Sequence, residues 1–435
     1  MLGLFLYFYF MKIDALHQLF LSCTSISTDT RKVKDTCMFF ALSGENFNGN
    51  TFATEALNKG AKYAIIDDPK YKTSDNTILV KNSLKTLQEL ATYHRDYLGL
   101  KIIALTGSNG KTTTKELINA VISQKYNTTA TIGNLNNNIG VPLTLLSMDK
   151  NTEIGIVEMG ANHKKEIAFL CNIAKPDYGY ITNFGKAHLE GFGGIEGVIE
   201  GKSEMYEYLI SNNKQVFFNA EDPIQKDKLS TYNNKIGFND SITNNYNYTL
   251  LDTNPFVSFK TEDKVINSNL IGTYNYTNLC AACTIGRHFK LTIHQIQNAI
   301  KNYVPTNNRS QIIDKDSNTI ILDAYNANPS SMDVALNNFS IHKAKNKIAI
   351  LGDMFELGIS AAAEHQNIVN LLADLDINKV ILIGENFYKT KLHHTNLEQY
   401  KSFEDFKNNY KTIKDSALLI KGSRGMALER VLELL

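Results

Sequence analysis

An apolar run at residues 102–105 passes without a break into Thr106-Gly107-Ser108-Asn109-Gly110-Lys111-Thr112-Thr113-Thr114-Lys115-Glu116. No other stretch restricts the fold as tightly: a strand ends, the chain turns through two glycines, and a helix opens at Lys111. The glycines let backbone N–H groups turn inward on one point, and the helix N-terminus adds partial positive charge there. Such a cradle suits phosphate oxygens. Lys111 supplies a point charge for β and γ phosphates, and the Thr112 hydroxyl is placed for Mg²⁺. Gly107, Ser108, Asn109, Gly110, Lys111, Thr112 and Thr113 are therefore the candidate nucleotide loop. The pattern is the short G-x-x-G-K-T. The longer G-x-x-x-x-G-K-[ST] needs glycine at position 105, which is leucine, and this counts against a GTPase or a motor.

A chain of 435 residues suggests about three domains. Short apolar runs recur at 37–42, 63–67 and 77–80, then a helix is expected over 83–98. A second block holds runs at 102–105, 154–159 and 178–182. Residues 211–270 are Asn-rich and read as short strands and loops. A third block begins after Arg309, with runs at 319–324, 347–351, 380–383 and 417–420 separated by helix-length spacers. Apolar runs alternating with helices imply parallel sheets built from βαβ units, so the fold class is α/β. Domains are expected at 1–98, 99–308 and 309–435.

With 43% hydrophobic and 20% charged residues, the chain is globular rather than disordered or fibrous. Its net charge of +1 gives no bulk attraction to nucleic acid or an anionic membrane, while a local site for a small anion remains open. The five cysteines are odd in number, and only Cys280 and Cys283 form a C-x-x-C. Helical spacing in an Ala-rich segment makes that pair core packing. Free thiols suit a reducing cytosol. Residues 1–11, MLGLFLYFYFM, are too short for a membrane helix and lack the features of a signal peptide. Met11 is the expected initiator; a buried first strand and a surface anchor are the alternatives.

Three further residues fit the phosphate loop. Glu158 closes an apolar run, where a Mg²⁺ ligand is wanted at a strand's C-terminal end; a surface glutamate is the bland alternative. His188 follows another run, in ITNFGKAHLEGFG. Lys202, in EGKSEMYEYL, is on its own terms a solvated helical lysine.

Together these residues resemble the Mur ligases, ATP-dependent amide-forming enzymes of peptidoglycan precursor synthesis, from about residue 27 to residue 424. Further segments carry the resemblance: FFALSGENFNGNTF (39–52), NLNNNIGVPLTLL (134–146), DAYNANPSSM (323–332), LGDMFELG (351–358) and KGSRGM (421–426). The resemblance implies a uridine-nucleotide-binding N-terminal domain, a central P-loop ATPase-like domain and a Rossmann-like C-terminal domain. The implied activity is ligation of D-alanyl-D-alanine to UDP-N-acetylmuramoyl-tripeptide through an acyl phosphate, with ATP and two Mg²⁺ ions. It further implies small-molecule substrates, no nucleic acid, no integral membrane segment, a cytoplasmic location and a sufficient monomer.

The same resemblance assigns roles. Lys111, Asn138, His188 and Lys202 are expected to be catalytic, with Asn138 near the transferred phosphate. Asn275 and Asn278 match an adenine-contacting pair, and Arg309 and Asp323 match ATP contacts. Thr112, Glu158, His188 and a carbamylated Lys202 form the metal set. Ser27, Arg31, Ser43, Asn46 and Asn50 fall on the uridine side, and Asn326, Asn328, Ser331 and Arg424 on the dipeptide side. Three positions depart from the family pattern: Tyr274 and Asn50 stand where histidine is frequent, and Asn308 replaces a common glycine. Two alternatives stay open at this level. One is a sister amide ligase of the folylpolyglutamate synthase kind, which does not need the 39–52 segment. The other is a nucleotide-dependent switch without amide chemistry. The 323–331 stretch also reads as a strand, an Asn-Pro turn and a helix cap, residues 27–31 also read as a polar loop, and His365 reads as structural or as supporting the residues around the site.

Overall fold

The computed structural model describes residues 11–239, 246–392 and 394–435, so the expectation about residues 1–10 lies outside the described residues. The chain forms two compact units. One takes the chain up to Ala104 with Tyr126–Gly160 and Ala168–Tyr178; the other takes Leu105–Lys125, Ala161–Ile167 and Gly179–Leu435.

In the first unit, a four-stranded parallel sheet has the order Ile26–Ser27, Met38–Phe40, Tyr63–Ile66, Thr77–Leu79. Met38, Phe39 and Phe40 are all buried, because a parallel sheet covered on both faces carries continuous rather than alternating apolar runs. The expected helix forms over Ser83–Leu98. The Asn82 side chain accepts from Lys85 N–H at its start, and Gly99, at φ +62°, ends it; a cap of this kind contributes about 1 kcal/mol. Its buried face holds Leu87, Leu90, Ala91 and His94, the i, i+3, i+4, i+7 stripe of an amphipathic helix. Strand Ile154–Glu158 pairs in parallel with Thr128–Ala130 and delivers Glu158 at its C-terminal end.

The second unit opens where strand Lys101–Thr106 passes through Leu105 into the phosphate loop and helix Lys111–Ile122. Gln215–Asn219 pairs in parallel with Lys235–Phe238, and a three-stranded antiparallel sheet spans Thr249–Asp252, Ser258–Thr261 and Lys264–Asn267. Cys280 and Cys283 are fully buried free thiols in helix Tyr274–His288, the core packing expected.

A six-stranded sheet follows, ordered Gln311–Lys315, Asn318–Asp323, Ala417–Lys421, Lys347–Gly352, Lys379–Ile383, Leu397–Tyr400. Its first pair is antiparallel and the rest are parallel. Ile320, Leu322, Leu418 and Ile420 feed one core, and Ile321 and Leu419 the other, the two-residue period of strands. Four of these strands coincide with the apolar runs. The two edge strands escape the sequence reading because QIIDK and LEQY are too polar to stand out.

Candidate active site

The phosphate loop is a backbone turn held from outside. Gly107 has φ +139°, and a Cβ there would sit 2.0 Å from Thr182 Oγ1; no other residue fits. Ser108 N–H donates to the Asn183 carbonyl (3.0 Å) and Ser108 Oγ to the Gly185 carbonyl (2.8 Å). Asn109 N–H donates to Asn183 Oδ1 (3.1 Å), and Thr182 Oγ1 to the Asn109 carbonyl (2.6 Å). Lys111 Nζ folds back onto the carbonyls of Gly107 (2.8 Å) and Ser108 (3.1 Å). Thr112 is buried, Thr113 half-buried.

Asn275 and Asn278 pack against this loop. Asn278 Nδ2 donates to Asn275 Oδ1 (2.9 Å) and Thr114 Oγ1 to Asn278 Oδ1 (3.0 Å). A Cβ on Gly110 would lie 2.8 Å from Asn278 Oδ1. Glu116 accepts from Tyr303 Oη (2.6 Å) and Asn307 Nδ2 (2.9 Å), which ties the helix to the segment that leads into Arg309. Sequence reasoning gave Glu116 no role.

Lys202 is fully buried. Its Nζ donates to the Ala161 carbonyl at 3.1 Å and lies 5.0 Å from the Phe192 ring centroid. Burial first, then the Lys111 charge, hold its ammonium well below the ordinary lysine range. The solvated-lysine reading is thereby corrected. His188 sits at φ +52° before the short helix Leu189–Phe192. Its Nδ1 pairs with the Glu356 carboxylate, and this bond lowers the Glu356 carboxyl. Glu158 is buried in the first unit. Its Oε1 accepts from Asn136 Nδ2 (2.8 Å) and its N–H donates to Thr131 Oγ1 (3.0 Å). Asn136 is a residue the sequence reading missed beside the exposed Asn138, whose carbonyl accepts from Gln88 Nε2 (2.9 Å).

In the C-terminal sheet, Asp323 Oδ1 accepts from Ser310 N–H (3.1 Å), and Lys421 Nζ pairs with Asp323 Oδ2. Arg309 and Arg424 stand 3.7 and 5.9 Å from the Tyr325 ring centroid, and Arg424 also pairs with Glu429 (2.9 Å). Asn326 is exposed. Asn328 Oδ1 accepts from Ser331 N–H (2.9 Å) and Ser331 Oγ from Asn328 N–H (3.0 Å). The strand, turn and cap reading of 323–331 is thus realised. Asn328 Nδ2 also donates to Asn109 Oδ1 (2.8 Å). His365 is structural: its Nε2 accepts from Met354 N–H (3.0 Å) and its Nδ1 faces the Ala361 carbonyl (2.7 Å).

Among the residues expected to face a uridine nucleotide, Ser27 Oγ donates to the Asp29 carbonyl (2.9 Å), and Arg31 pairs with Asp29 (2.8 Å) while 86% exposed. Ser43 and Asn46 are exposed on the hairpin Ser43–Gly44/Phe47–Asn48. Asn50 is buried, with its amide bound to Asp67 Oδ1 (2.8 Å), Asn48 Oδ1 (2.9 Å) and Asp67 N–H (2.9 Å). It braces the hairpin from below. Among the described residues no helix is long and apolar enough to cross a membrane, and no three His, Cys, Asp or Glu side chains gather as a metal cluster.

Known proteins resemble this arrangement along the whole chain. Residues 22–95 match the Mur ligase family catalytic domain, 105–286 the Mur ligase middle domain, and 308–427 the Mur ligase glutamate ligase domain. UDP-N-acetylmuramoyl-tripeptide–D-alanyl-D-alanine ligase of Bacillus subtilis is 32% identical over 94% of this chain and 92% of its own. The crystal structure of MurF from Acinetobacter baumannii superposes with a TM-score of 0.85 at 27% identity, over 97% of both chains. MurF ligase from Thermotoga maritima in complex with ADP gives 0.81 at 27% identity, over 95% of this chain and 97% of that one. A phosphate loop, a buried lysine and a strand-end glutamate in a chain matched this completely admit one conclusion: the chain belongs to the Mur ligase family.

Proposed function

We propose that the chain joins D-alanyl-D-alanine to UDP-N-acetylmuramoyl-tripeptide with ATP, giving the UDP-muramoyl-pentapeptide precursor of peptidoglycan. The observation that carries this reading is end-to-end similarity to ligases of that name at 32% identity, joined to the phosphate loop. The tripeptide carboxylate attacks the γ phosphorus, the β–γ bridging bond breaks, and ADP leaves an acyl phosphate. The dipeptide amine then attacks the acyl carbon and phosphate departs. A carboxylate needs this activation because its oxygen is a poor leaving group.

Residues 1–98 hold the uridine nucleotide, 99–308 the phosphates, and 309–435 the dipeptide and part of ATP. Lys111 and Arg309 offset charge that builds on the transferring phosphoryl group. Asn138 orients that group, Asn275 and Asn278 contact adenine, and Asp323 contacts ATP. Ser27, Arg31, Ser43 and Asn46 face the uridine nucleotide, with Asn50 beneath them; Asn326, Asn328, Ser331 and Arg424 face the dipeptide. Thr112, Glu158, His188 and Lys202 would hold Mg²⁺, two ions in all, which when bound neutralise phosphate charge. The lowered Lys202 ammonium favours the neutral amine, the form that adds CO₂ to become a carbamate. Closure of residues 309–435 excludes water from the acyl phosphate. The protein acts as a cytoplasmic monomer.

The test is phosphate release from ATP with the tripeptide substrate and D-alanyl-D-alanine, each omitted in turn, and the product mass. Release that needs all three, with a pentapeptide product, is the expected result. Turnover with a different amino acid in place of the dipeptide overturns the proposal.

A further inference from the structure

Tyr274 begins the helix that carries Asn275 and Asn278, and its hydroxyl meets the Ser310 hydroxyl at 2.5 Å. The ring is seated on Gly272, at φ +81°, where a Cβ would stand 2.4 Å from Tyr274 Cε1. Ser310 N–H continues the chain of bonds to Asp323 Oδ1 (3.1 Å), and Lys421, 2% exposed, anchors Asp323 from the other side. Burial and the facing Asp323 carboxylate raise the Tyr274 phenol, so the hydroxyl keeps its proton.

What this network holds is a strained turn. Asn308 and Ser310 have φ of +56° and +51°, in the left-handed region that disfavours non-glycine residues. Arg309 lies between them. Its guanidinium is stacked at 3.7 Å on Tyr325, and its buried Nε has no hydrogen-bond partner among the described residues. The direction of Arg309 is therefore set by the backbone on either side and by one ring.

We infer that Tyr274 is a positioning residue of the nucleotide site: its hydroxyl fixes Ser310, and so the Asn308-Arg309-Ser310 turn that presents Arg309 to ATP. The inference rests on the proposed role of Arg309 in ATP binding.

The experiment is calorimetric titration of the full chain with ADP and Mg²⁺, for wild type, Tyr274→Phe, Ser310→Ala and the double variant. Each single change should weaken ADP binding about fivefold, the loss of one hydrogen bond. The double variant should be no weaker than the weaker single one, because both remove the same contact. In ligation assays KM for ATP should rise by the same factor with kcat within about twofold. Wild-type ADP affinity in either single variant, or additive losses, overturns the inference. Should Tyr274→Phe fail to fold, Ser310→Ala alone decides by the same affinity criterion. Since ADP binding is read without the tripeptide or dipeptide, failure of the proposed ligation would register separately, as absent phosphate release.

Discussion

Asn136 Nδ2 donates to Glu158 Oε1 at 2.8 Å, while the Asn136 carbonyl accepts from Gly160 N–H at 2.7 Å. One asparagine thus aims the carboxylate and fixes the backbone just beyond it. A Cβ on Gly160 would stand 2.8 Å from Asn136 Oδ1, so the pair is packed as well as bonded. A partner of this kind typically governs metal affinity ten- to a hundredfold. Asn136→Ala should raise the Mg²⁺ concentration for half-maximal turnover about tenfold and leave KM for the uridine substrate unchanged. Unaltered Mg²⁺ dependence would show that Glu158 does not need this support.

Lys111→Ala removes a side chain that donates to the loop's own carbonyls, Gly107 and Ser108. Ligation should fall by about a thousandfold or more, the scale on which a charge aimed at the transferring phosphoryl group acts. The melting midpoint should move by only a few degrees. Normal turnover in this variant would sink the assignment of the loop.

Lys202 offers a test by mass. Its buried, depressed ammonium should take up CO₂, so native mass spectrometry in bicarbonate buffer should show an adduct of one CO₂ that Lys202→Arg lacks. The arginine variant should lose ligation about a hundredfold or more, because an obligate cation replaces an anion near the phosphates. An adduct that persists in Lys202→Arg places the carbamate elsewhere.

Acid should loosen the first unit through two histidines. His94 Nε2 lies 2.9 Å from the Met148 carbonyl, so it donates, and His94 Nδ1 then accepts from His17 Nε2 at 3.0 Å. That leaves His17 Nδ1 buried without a hydrogen-bond partner among the described residues. Burial, then the His94 charge, hold His17 down to about 4, and burial lowers His94 as well. The folded state therefore binds fewer protons than the unfolded state as pH drops below about 6.5. Stability is full above that pH and falls towards 4, by about 1–2 kcal/mol for His17. The melting midpoint should drop between pH 7.5 and 5, and His17→Leu should flatten the drop. Equal slopes in the two proteins would remove His17 as the cause.

The phosphate loop was legible because its requirements are local: two glycines at positive φ, a strand before and a helix after. The buried parallel strands were legible because both faces are covered and their runs are continuously apolar. The edge strands Gln311–Lys315 and Leu397–Tyr400 were not, since their polar residues break up the apolar runs by which buried strands are read. Glu116 and Asn136 were invisible for a different reason. Each acts through long-range hydrogen bonds, Glu116 to Tyr303 and Asn307, and Asn136 to Glu158 and Gly160, and no spacing in the chain announces such partners. Lys202 was underrated by its helical position. Only the packed environment of Ala161 and Phe192 reveals a buried amine.

The bond from Asn328 Nδ2 to Asn109 Oδ1 bears on how such enzymes can be recombined. Asn109 belongs to the phosphate loop, and Asn328 caps helix Pro329–Ser340, on the side we propose faces the dipeptide. A chimera that grafts residues 309–435 from a ligase of different acceptor specificity inherits a helix cap of foreign sequence. Unless that cap brings an amide to the same place, the graft leaves Asn109 without its brace. Acceptor specificity in this scaffold is then not a freely exchangeable cassette, because part of its wiring runs through the loop that all acceptors share.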